Sequence, residues 1–300
     1  MASDCCGPTR PTTATPVAVD EVPAGAGPRP DSLIPLPGGT FLMGAEDPDG
    51  FPADGEGPVR EQTVAPFAID AYCVTNAAFG EFVAATGYRT EAEQIGWAYV
   101  FAKFLPGELR KKSPRPPQTP WWCAVRGAYW AAPEGPGSEV ADRAGHPAVQ
   151  LSWRDAQAYC RWTGTRLPTE VEWEYAARGG LVRARFPWGD ELTPDDEHRC
   201  NIWQGTFPVR NTEEDGYLGT APVDAFAPNG FGLYNVSGNV WEWCADAWAP
   251  GAEPDRVMRG GSYLCHHSYC NRYRVAARTN NAPDSASGNL GFRCAADLPG

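Results

Sequence analysis

Hydrophobic positions recur at helical spacing in three stretches of the chain, and each stretch has its own start and stop signals. The first stretch begins after Thr75 and ends at Gly87, residue types that favour the N-cap and the C-terminal turn of a helix. Between them, Phe79, Phe82 and Val83 repeat at i, i+3 and i+4. The pattern therefore predicts an amphipathic helix between Thr75 and Gly87.

Capping boxes predict two further helices. Ser152 with Asp155 opens the second helix, and Thr169 with Glu172 opens the third, which ends at 179–180. The predicted buried positions of the second helix and its terminal glycine are Ala156, Tyr159, Cys160, Thr163 and Gly164.

Outside these helices the chain is rich in turn residues. Its 33 glycines and 30 prolines make 63 of the 300 residues, against a usual share of about 12%. Only short strand-like pieces remain, with Asn229-Gly230 as a tight-turn signal. We therefore predict an α+β fold with a minority of regular structure, held together by buried aromatic side chains, including the 12 tryptophans.

Composition separates a tail from a domain. Residues 1–30 contain six prolines, and no aromatic residue occurs before Phe41, which predicts a disordered N-terminal tail. The adjacent Cys5 and Cys6 suit a metal or redox site, but an inert tail is the favoured interpretation. No further linker follows, so we predict a single domain over residues 31–300.

The charge of the chain excludes two classes of partner. With 37 acidic and 25 basic residues the net charge is −12, so we expect neither nucleic acid nor an anionic membrane surface as a partner. The sequence contains no run of 18 apolar residues, so it predicts no membrane span. Its N-terminus lacks the basic region and the apolar region of a secretory signal. We therefore expect a cytoplasmic protein.

Cys265 and Cys270 are the strongest candidates for chemistry. The ten cysteines of the chain are too dilute for a disulfide scaffold. The four residues between this pair are too many for a zinc knuckle, but they let a loop bring two thiolates together. Two soft thiolates suit Cu(I). A plain disulfide and two buried thiols are the alternatives.

Four histidines limit other metal centres. His266 and His267 lie in the same loop, but neighbouring side chains of an extended segment point to opposite faces, so we do not expect both to bind one ion. One of them can contact a substrate. With only His146 and His198 elsewhere, a three-histidine iron centre is hard to assemble.

Two other polar groups have open interpretations. Asn201 and Asp215 flank a turn, and Asn235 opens residues 235–239. These oxygen-rich positions suit Ca²⁺, whereas asparagine in a turn is commonly plain turn chemistry. Three arginines suit either an extended acidic or polar peptide or a solvated strand face: Arg272, Arg274 and Arg278.

Four segments together resemble the formylglycine-generating enzyme family, also called sulfatase-modifying factor. They are 36–44 (LPGGTFLMG), 166–175 (RLPTEVEWEY), 232–243 (GLYNVSGNVWEW) and 289–294 (NLGFRC). The resemblance covers residues 34–297 and implies a fold similar to C-type lectins. The segments that distinguish true formylglycine-generating members are 121–122, 201–205, 260–270, 272–274 and 283–285.

The resemblance implies a copper-dependent oxidase. In the family, the positions of Cys265 and Cys270 hold Cu(I), and a cysteine in an unfolded Cys-X-Pro-X-Arg segment of a sulfatase joins as a third ligand. O₂ and a thiol reductant then convert this cysteine to Cα-formylglycine, and sulfide is released. From the net charge we further expect an acidic groove that attracts the arginine of the segment.

By position, the resemblance also assigns supporting residues. Ser262 and Tyr269 resemble residues beside the copper. The residues that resemble a peptide cleft are Trp121, His266, Arg278 and Asn289. Two structural Ca²⁺ sites are implied, the first at Asn201, Ile202, Asp215 and Tyr217, and the second at Asn235, Val236, Gly238 and Val240.

The remaining cysteines bear on the type of family member. Cys160 and Cys294 match a family disulfide, which a reducing cytoplasm can leave open. A second disulfide of secreted relatives is missing, since Ala177 and Val275 stand there, and this favours a cytoplasmic, bacterial-type member, expected to be a monomer. The alternative is a non-catalytic peptide- or ligand-binding module on the same fold, which would need no reactive cysteine pair.

Overall fold

The computed structural model describes residues 7–10, 19–251 and 254–298. Within these residues, no helix is long and apolar enough to cross a membrane. The α-helices are α1 Asn76–Thr86, α2 Glu91–Ile95, α3 Gly107–Lys112, α4 Trp153–Thr163 and α5 Glu170–Arg178.

The three predicted helices are confirmed as α1, α4 and α5. Thr75 caps α1 by accepting a hydrogen bond from the Ala78 N–H, and both predicted capping boxes form at α4 and α5. The sequence patterns missed the short helices α2 and α3, although Thr90 and Glu93 form a third capping box at α2. The glycines that end the predicted helices, each with positive φ, are Gly87, Gly164 and Gly179.

The strands are short and form small sheets. Their bounds are β1 Leu33–Leu36, β2 Gly39–Met43, β3 Arg60–Val64, β4 Phe67–Asp70, β5 Trp97–Phe101, β6 Trp122–Arg126, β7 Gly205–Thr206, β8 Arg210–Asn211, β9 Trp241–Ala247, β10 Arg256–Arg259, β11 Arg278–Asn281, β12 Leu290–Gly291 and β13 Ala295–Asp297. One sheet has the antiparallel order β1-β4-β13, and another has the order β11-β10-β9-β12, in which β12 runs parallel to β9. The pairs β2-β3, β5-β6 and β7-β8 are antiparallel. The predicted α+β class is confirmed.

The turn predicted at Asn229 is formed, and it also ties down α5. The Asn229 side-chain amide donates to two carbonyls in the last turn of α5, at 2.8 and 3.0 Å. Gly230 lies so close to Gly179 that a Cβ at position 230 would sit 2.3 Å from its carbonyl oxygen. Glycine is therefore required where this turn meets the helix end.

The core contains both tryptophans and arginines. Each fully buried aromatic ring removes about 150–250 Å² from water, which fits the predicted role of the aromatic residues. The fully buried tryptophans are Trp122, Trp173, Trp203, Trp241 and Trp243. Arginine is almost never buried without a partner, yet the same core encloses Arg10, Arg259, Arg272, Arg274 and Arg293.

Glu242 on β9 neutralises one of these arginines and joins three segments. Arg293 donates to both of its carboxylate oxygens, at 2.6 and 2.7 Å. The indole N–H of Trp173 on α5 donates to the same carboxylate at 2.7 Å, and the Cys73 thiol does so at 3.4 Å. Burial opposes the charge of Arg293, but the carboxylate of Glu242 outweighs burial and raises the pKa of Arg293.

Part of the predicted N-terminal tail is folded, which corrects the boundary at residue 31. Val19–Glu21 form a 3-10 turn beside α4, and Val22 is buried in the main core. Arg161 of α4 donates to the Val22 carbonyl at 2.6 Å. The folded unit thus includes Val19–Glu21 and Val22.

Residues 7–10 also lie against the domain, and Arg10 is only 2% exposed. Residues 1–6 and 11–18 lie outside the described residues, so the interpretation of the two tail cysteines stays a prediction. Proline content lowers local helix and strand propensity, but it does not prevent a segment from docking on an existing surface. Composition alone therefore overstated the disorder of this region.

We expect Glu242→Gln to lower the free energy of unfolding by about 3–5 kcal/mol, because the buried charge of Arg293 would lose its carboxylate. Urea denaturation followed by fluorescence measures this change. The control is Glu61→Gln on the exposed face of β3, which should shift stability by less than about 0.5 kcal/mol. Equal effects of the two substitutions would contradict this role of Glu242.

Candidate active site

Two glycines turn the chain back after β10 and begin the loop that carries the cysteine pair. Gly260 and Gly261 have φ values of +94° and +74°. A Cβ at position 261 would lie 2.9 Å from the carbonyl oxygen of Arg272. Glycine combines this backbone conformation with such a close approach, so these two residues set the path of the loop.

The loop places the sulfur atoms of Cys265 and Cys270 3.3 Å apart. The two residues are 1% and 0% exposed. The separation is well above the roughly 2.05 Å of a disulfide bond, so the pair consists of two thiol groups facing each other. The Ser262 N–H lies 3.4 Å from the Cys265 sulfur and is directed at it. The site is thus two soft donors inside the core.

A buried arginine faces the second cysteine. Nη1 of Arg272 lies 3.8 Å from the Cys270 sulfur, and its Nε donates to Asp54 at 2.6 Å. The guanidinium also stacks 3.7 Å from the ring centroid of Phe51. Burial raises the pKa of Asp54, and the hydrogen bond from Arg272 opposes that rise. Arg272 thereby brings a positive charge to the sulfur pair.

The sequence analysis missed this pairing of an acidic loop with the arginines. Arg272 and Arg274 are 0% and 2% exposed, so the alternative of a solvated strand face is wrong for both. Glu56 accepts two hydrogen bonds from Arg274, at 2.6 and 2.7 Å. The acidic residues at 54 and 56 have the same spacing as the arginines at 272 and 274. This matching spacing was the feature of the sequence that could have predicted the two ion pairs.

Arg278, predicted in the peptide cleft, is held by neighbouring groups. It donates two hydrogen bonds to the carboxylate of Glu170, at 2.6 and 2.8 Å, and one to the Asp54 carbonyl at 3.0 Å. Its guanidinium lies 4.1 Å from the Trp248 ring centroid. Arg278 therefore braces the loop that carries Asp54, and its contact with a peptide stays a prediction.

Ser262 and Asn289 meet beside the sulfur pair. The Ser262 hydroxyl accepts a hydrogen bond from the Asn289 amide at 3.0 Å. Asn289 in turn accepts from the Ser287 hydroxyl at 2.8 Å, and all three residues are buried. This chain fixes the position of Ser262, whose N–H is directed at Cys265.

Tyr269 and Trp121 belong to one aromatic group. Tyr269 stacks on Phe207 with ring centroids 4.2 Å apart, and Trp121 meets both rings edge-on, at 5.5 and 5.3 Å. No pattern in the sequence had indicated that Phe207 belongs to the site. A cleft of about 490 Å³ opens beside Trp121, and its other lining residues include Lys103, Arg110, Arg115, Pro120 and Val209.

His266 and His267 stand side by side, which corrects the expectation that they point to opposite faces. Their ring centroids are 4.0 Å apart because the chain turns here instead of extending. The His266 ring also hydrogen-bonds Ser268 at 2.7 Å. Burial lowers the pKa of His266, and the neighbouring His267 lowers it further, so the neutral ring is favoured.

The Asp215 carboxylate, predicted for the first Ca²⁺ site, lies beside Ile202 and Tyr217 of the same predicted site. One carboxylate oxygen of Asp215 accepts from the Ile202 N–H at 3.0 Å, and the other accepts from the Tyr217 N–H at 3.0 Å. The amide of Gln204 lies within 2.7 Å of both Asp215 and the Ile202 carbonyl. The buried carbonyl oxygen of the Asn201 side chain has no hydrogen-bond partner among the described residues.

The second predicted Ca²⁺ site adjoins the first. Asn235 has a φ of +51°, and its buried side-chain carbonyl oxygen likewise has no partner in the part of the chain that the structure describes. Gly238 approaches Asn201 so closely that a Cβ would lie 2.3 Å from the Asn201 carbonyl oxygen. Val236 and Val240, which flank Gly238 in the sequence, are both buried. Both sites therefore include a buried amide oxygen that a cation could satisfy.

Cys160 of α4 and Cys294 near β13, which the resemblance matches to a family disulfide, lie close together. Their sulfur atoms are 3.9 Å apart, and both residues are buried. The hydrogen bond with Cys160, followed by burial, raises the pKa of the Cys294 thiol. The thiol form of Cys294 is thereby favoured.

Comparisons with known proteins cover nearly the whole folded chain. Residues 20–298 match the sequence model of a family described as the sulfatase-modifying factor enzyme 1-like domain. A formylglycine-generating enzyme from Thermomonospora curvata is 60% identical over 88% of this chain and 93% of its own length. An inactive C-alpha-formylglycine-generating enzyme 2 from Mus musculus is 51% identical over 88% of this chain and 85% of its own. The structure of PvdO from Pseudomonas aeruginosa has a TM-score of 0.64 at 27% identity, covering 89% of this chain and 94% of that one.

We expect mild oxidation with diamide to join Cys265 to Cys270, because their sulfur atoms are already 3.3 Å apart. Peptide mapping by mass spectrometry would show the crosslinked peptide lighter by two hydrogens. Cys123 and Cys244, buried without a described cysteine partner, are the internal controls and should remain thiols. Recovery of both site cysteines as thiols after this treatment would contradict the geometry.

Proposed function

Because the chain belongs to the sulfatase-modifying factor family, we propose that it is a formylglycine-generating enzyme. Its substrate is a cysteine in an unfolded Cys-X-Pro-X-Arg segment of a sulfatase, and its product is Cα-formylglycine. The observation that carries this proposal is the buried sulfur pair of Cys265 and Cys270. Sequence identity alone does not decide activity, since relatives named as active and as inactive both exceed 50%.

The reaction balances with O₂ and a thiol reductant. A cysteine side chain, one O₂ and two reductant thiols give an aldehyde, hydrogen sulfide, water and one disulfide. The C–S bond and one C–H bond of the side chain break, and a C=O bond forms. Of the four electrons that O₂ accepts, two come from the side-chain carbon and two from the reductant.

The sulfur pair fits Cu(I). Cys265 and Cys270 would hold the ion, since both are buried soft donors, and Arg272 supplies a positive charge that offsets part of the charge of two thiolates. When bound, copper supplies a redox-active centre for the reaction with O₂. Among the described residues, no group of three or more His, Cys, Asp or Glu side chains offers a competing metal site.

The residues around the pair hold it in place and keep water away. The Ser262 N–H fixes the Cys265 sulfur, and Asn289 fixes Ser262. The aromatic group of Trp121, Tyr269 and Phe207 gives the peptide an apolar wall, which suits the proline of the proposed segment. The neutral ring of His266 lies in the same loop and adds no charge to the site.

We also propose that two Ca²⁺ ions stabilise the region near the site. The supporting observation is the pair of buried amide oxygens, on Asn201 and Asn235, that lack a partner in the described structure. An unpaired buried oxygen costs about 1–3 kcal/mol, and a bound cation would remove this cost. Asp215 would contribute the negative charge at the first site.

A non-catalytic binding module is the second candidate function. A relative of similar identity that is named as inactive supports considering it. The aromatic wall would serve such a module equally well. The facing thiols and the buried arginine beside them would then have no chemical task. Cytoplasmic location and a monomeric state stay predictions from the sequence.

We expect the copper-loaded protein to convert a Cys-X-Pro-X-Arg peptide in air with a thiol reductant, as followed by mass spectrometry. Cys265→Ser or Cys270→Ser should reduce the rate by at least about 100-fold, because either change removes one of two soft ligands. Cys200→Ser, in the same buried cluster, is the matched control and should keep at least half of the activity. Full activity in either site variant would exclude the proposed mechanism.

We expect Ca²⁺ to raise the melting temperature of the protein relative to a chelator-treated sample. At 100 times the dissociation constant, one bound ion adds about 2.7 kcal/mol of stability. Asp215→Asn should abolish much of this shift, whereas Glu213→Gln, an exposed neighbour, should leave it intact. A Ca²⁺-independent melting temperature in the unmodified protein would rule out these sites.

A further inference from the structure

Residues 7–10 fill a groove between β5 and the segment that follows β11. The groove recognises their backbone: the Asn281 amide donates to the Gly7 carbonyl at 3.2 Å, and the Tyr99 hydroxyl donates to the Thr9 carbonyl at 3.5 Å. The Arg10 N–H donates to the Ser285 hydroxyl at 3.1 Å. Contacts of this kind hold an extended peptide whatever its side chains, as in other peptide-binding grooves.

A pocket encloses the Arg10 side chain. Its two terminal nitrogens donate to the carbonyls of Asp284 and Trp97, each at 2.7 Å, and the guanidinium lies 4.8 Å from the Trp97 ring centroid. Burial lowers the pKa of Arg10, while the carboxylates of Asp284, Asp155 and Glu91 oppose the shift. The expected acidic groove therefore has a counterpart here, although carbonyl oxygens make the direct contacts.

A series of contacts through buried residues connects this groove with the sulfur pair. A Cβ at Gly7 would lie 3.5 Å from the Ser287 hydroxyl. Ser287 bonds to Asn289, Asn289 bonds to Ser262, and the N–H of Ser262 is directed at Cys265. Four consecutive contacts, through Ser287, Asn289 and Ser262, thus connect Gly7 with Cys265.

The sequence of the segment matches the proposed substrate. Residues 6–10 read Cys-Gly-Pro-Thr-Arg, which satisfies every fixed position of Cys-X-Pro-X-Arg. The two fixed positions within the described part, Pro8 and Arg10, are buried; of the two variable positions, Gly7 is buried and Thr9 is exposed. Cys6 lies outside the described residues, and its place in the motif follows from the sequence.

We propose that residues 7–10, which together with Cys6 complete the target motif in the sequence, occupy the substrate groove as an intramolecular copy of the target segment, so that a sulfatase segment must displace them. The substrate identity on which this rests is that of the proposed function. The copy is joined through residues 11–18 to the folded turn at Val19–Glu21, so it competes at a high effective concentration, on the order of 1 mM. The result is competitive inhibition in cis.

The test measures peptide binding without catalysis. A fluorescein-labelled Ser-Gly-Pro-Thr-Arg peptide, which has no thiol to convert, is titrated into full-length, metal-free protein and followed by anisotropy. Arg10→Ala should bind the peptide at least about tenfold more tightly than the unmodified protein, because the tethered competitor loses its anchor. Arg29→Ala, an exposed arginine of the same N-terminal region, is the matched control and should bind as the unmodified protein does.

Two further measurements keep the outcome clear. Arg10→Lys keeps the positive charge but cannot donate to both carbonyls in the same way, so its affinity for the labelled peptide should lie between those of the unmodified protein and Arg10→Ala. This variant provides a test that does not depend on the folding of Arg10→Ala. In the conversion assay, Arg10→Lys should lower KM and leave kcat unchanged. Equal peptide affinities, within twofold, for the unmodified protein and Arg10→Lys would overturn the proposal.

The two proposals fail in different ways. Absence of cysteine conversion in every copper-loaded variant would contradict the oxidase function, but it would not change the binding results obtained with the serine peptide. If the unlabelled sulfatase-type peptide converts normally while no variant at position 10 changes affinity or KM, the intramolecular copy is excluded and the oxidase function stands.

Discussion

Buried ion pairs between arginine and carboxylate side chains are the interaction on which this structure depends. The chain has short strands and many loops, so few long ladders of backbone hydrogen bonds hold distant segments together. A buried pair adds little net stability, but separating its partners is costly, and this selects which segments meet. The pairs that join segments far apart in the sequence include Arg272 with Asp54, Arg274 with Glu56, Arg259 with Glu174, and Arg293 with Glu242. The first of these also brings a positive charge to the sulfur pair.

Local signals in the sequence predicted the local parts of the structure. The helices α1, α4 and α5 were predictable because capping residues and terminal glycines act within a few positions. The spacing of Cys265 and Cys270 indicated a shared site, and the resemblance supplied the chemistry. The partners of Arg272 and Arg274 were not predictable in this way, since they lie 218 residues away. The turn that sets His266 beside His267 likewise depends on packing of the whole loop.

The N-terminal region shows a different limit of sequence reasoning. Its proline content indicates little regular structure, but segments can be ordered by a groove built elsewhere in the chain. Arg10 is buried by contacts with residues at positions 97, 284 and 285, none of which its own neighbourhood could reveal. The signal that could have found it was the match between residues 6–10 and the Cys-X-Pro-X-Arg motif, which was considered only as a property of the partner protein.

A bound N-terminal segment sets a threshold of binding affinity that a molecule must exceed before the site can oxidise it. A site that brings a redox-active metal to an incoming thiol would react with many small thiols and chance cysteine peptides. Any such molecule must first outcompete a tethered ligand that already makes the backbone contacts and fills the arginine pocket. Weak binders are excluded, while a segment with both a correctly placed arginine and additional contacts can enter. The affinity of the groove for its own N-terminal segment thus sets the minimum affinity that an incoming peptide needs in order to bind.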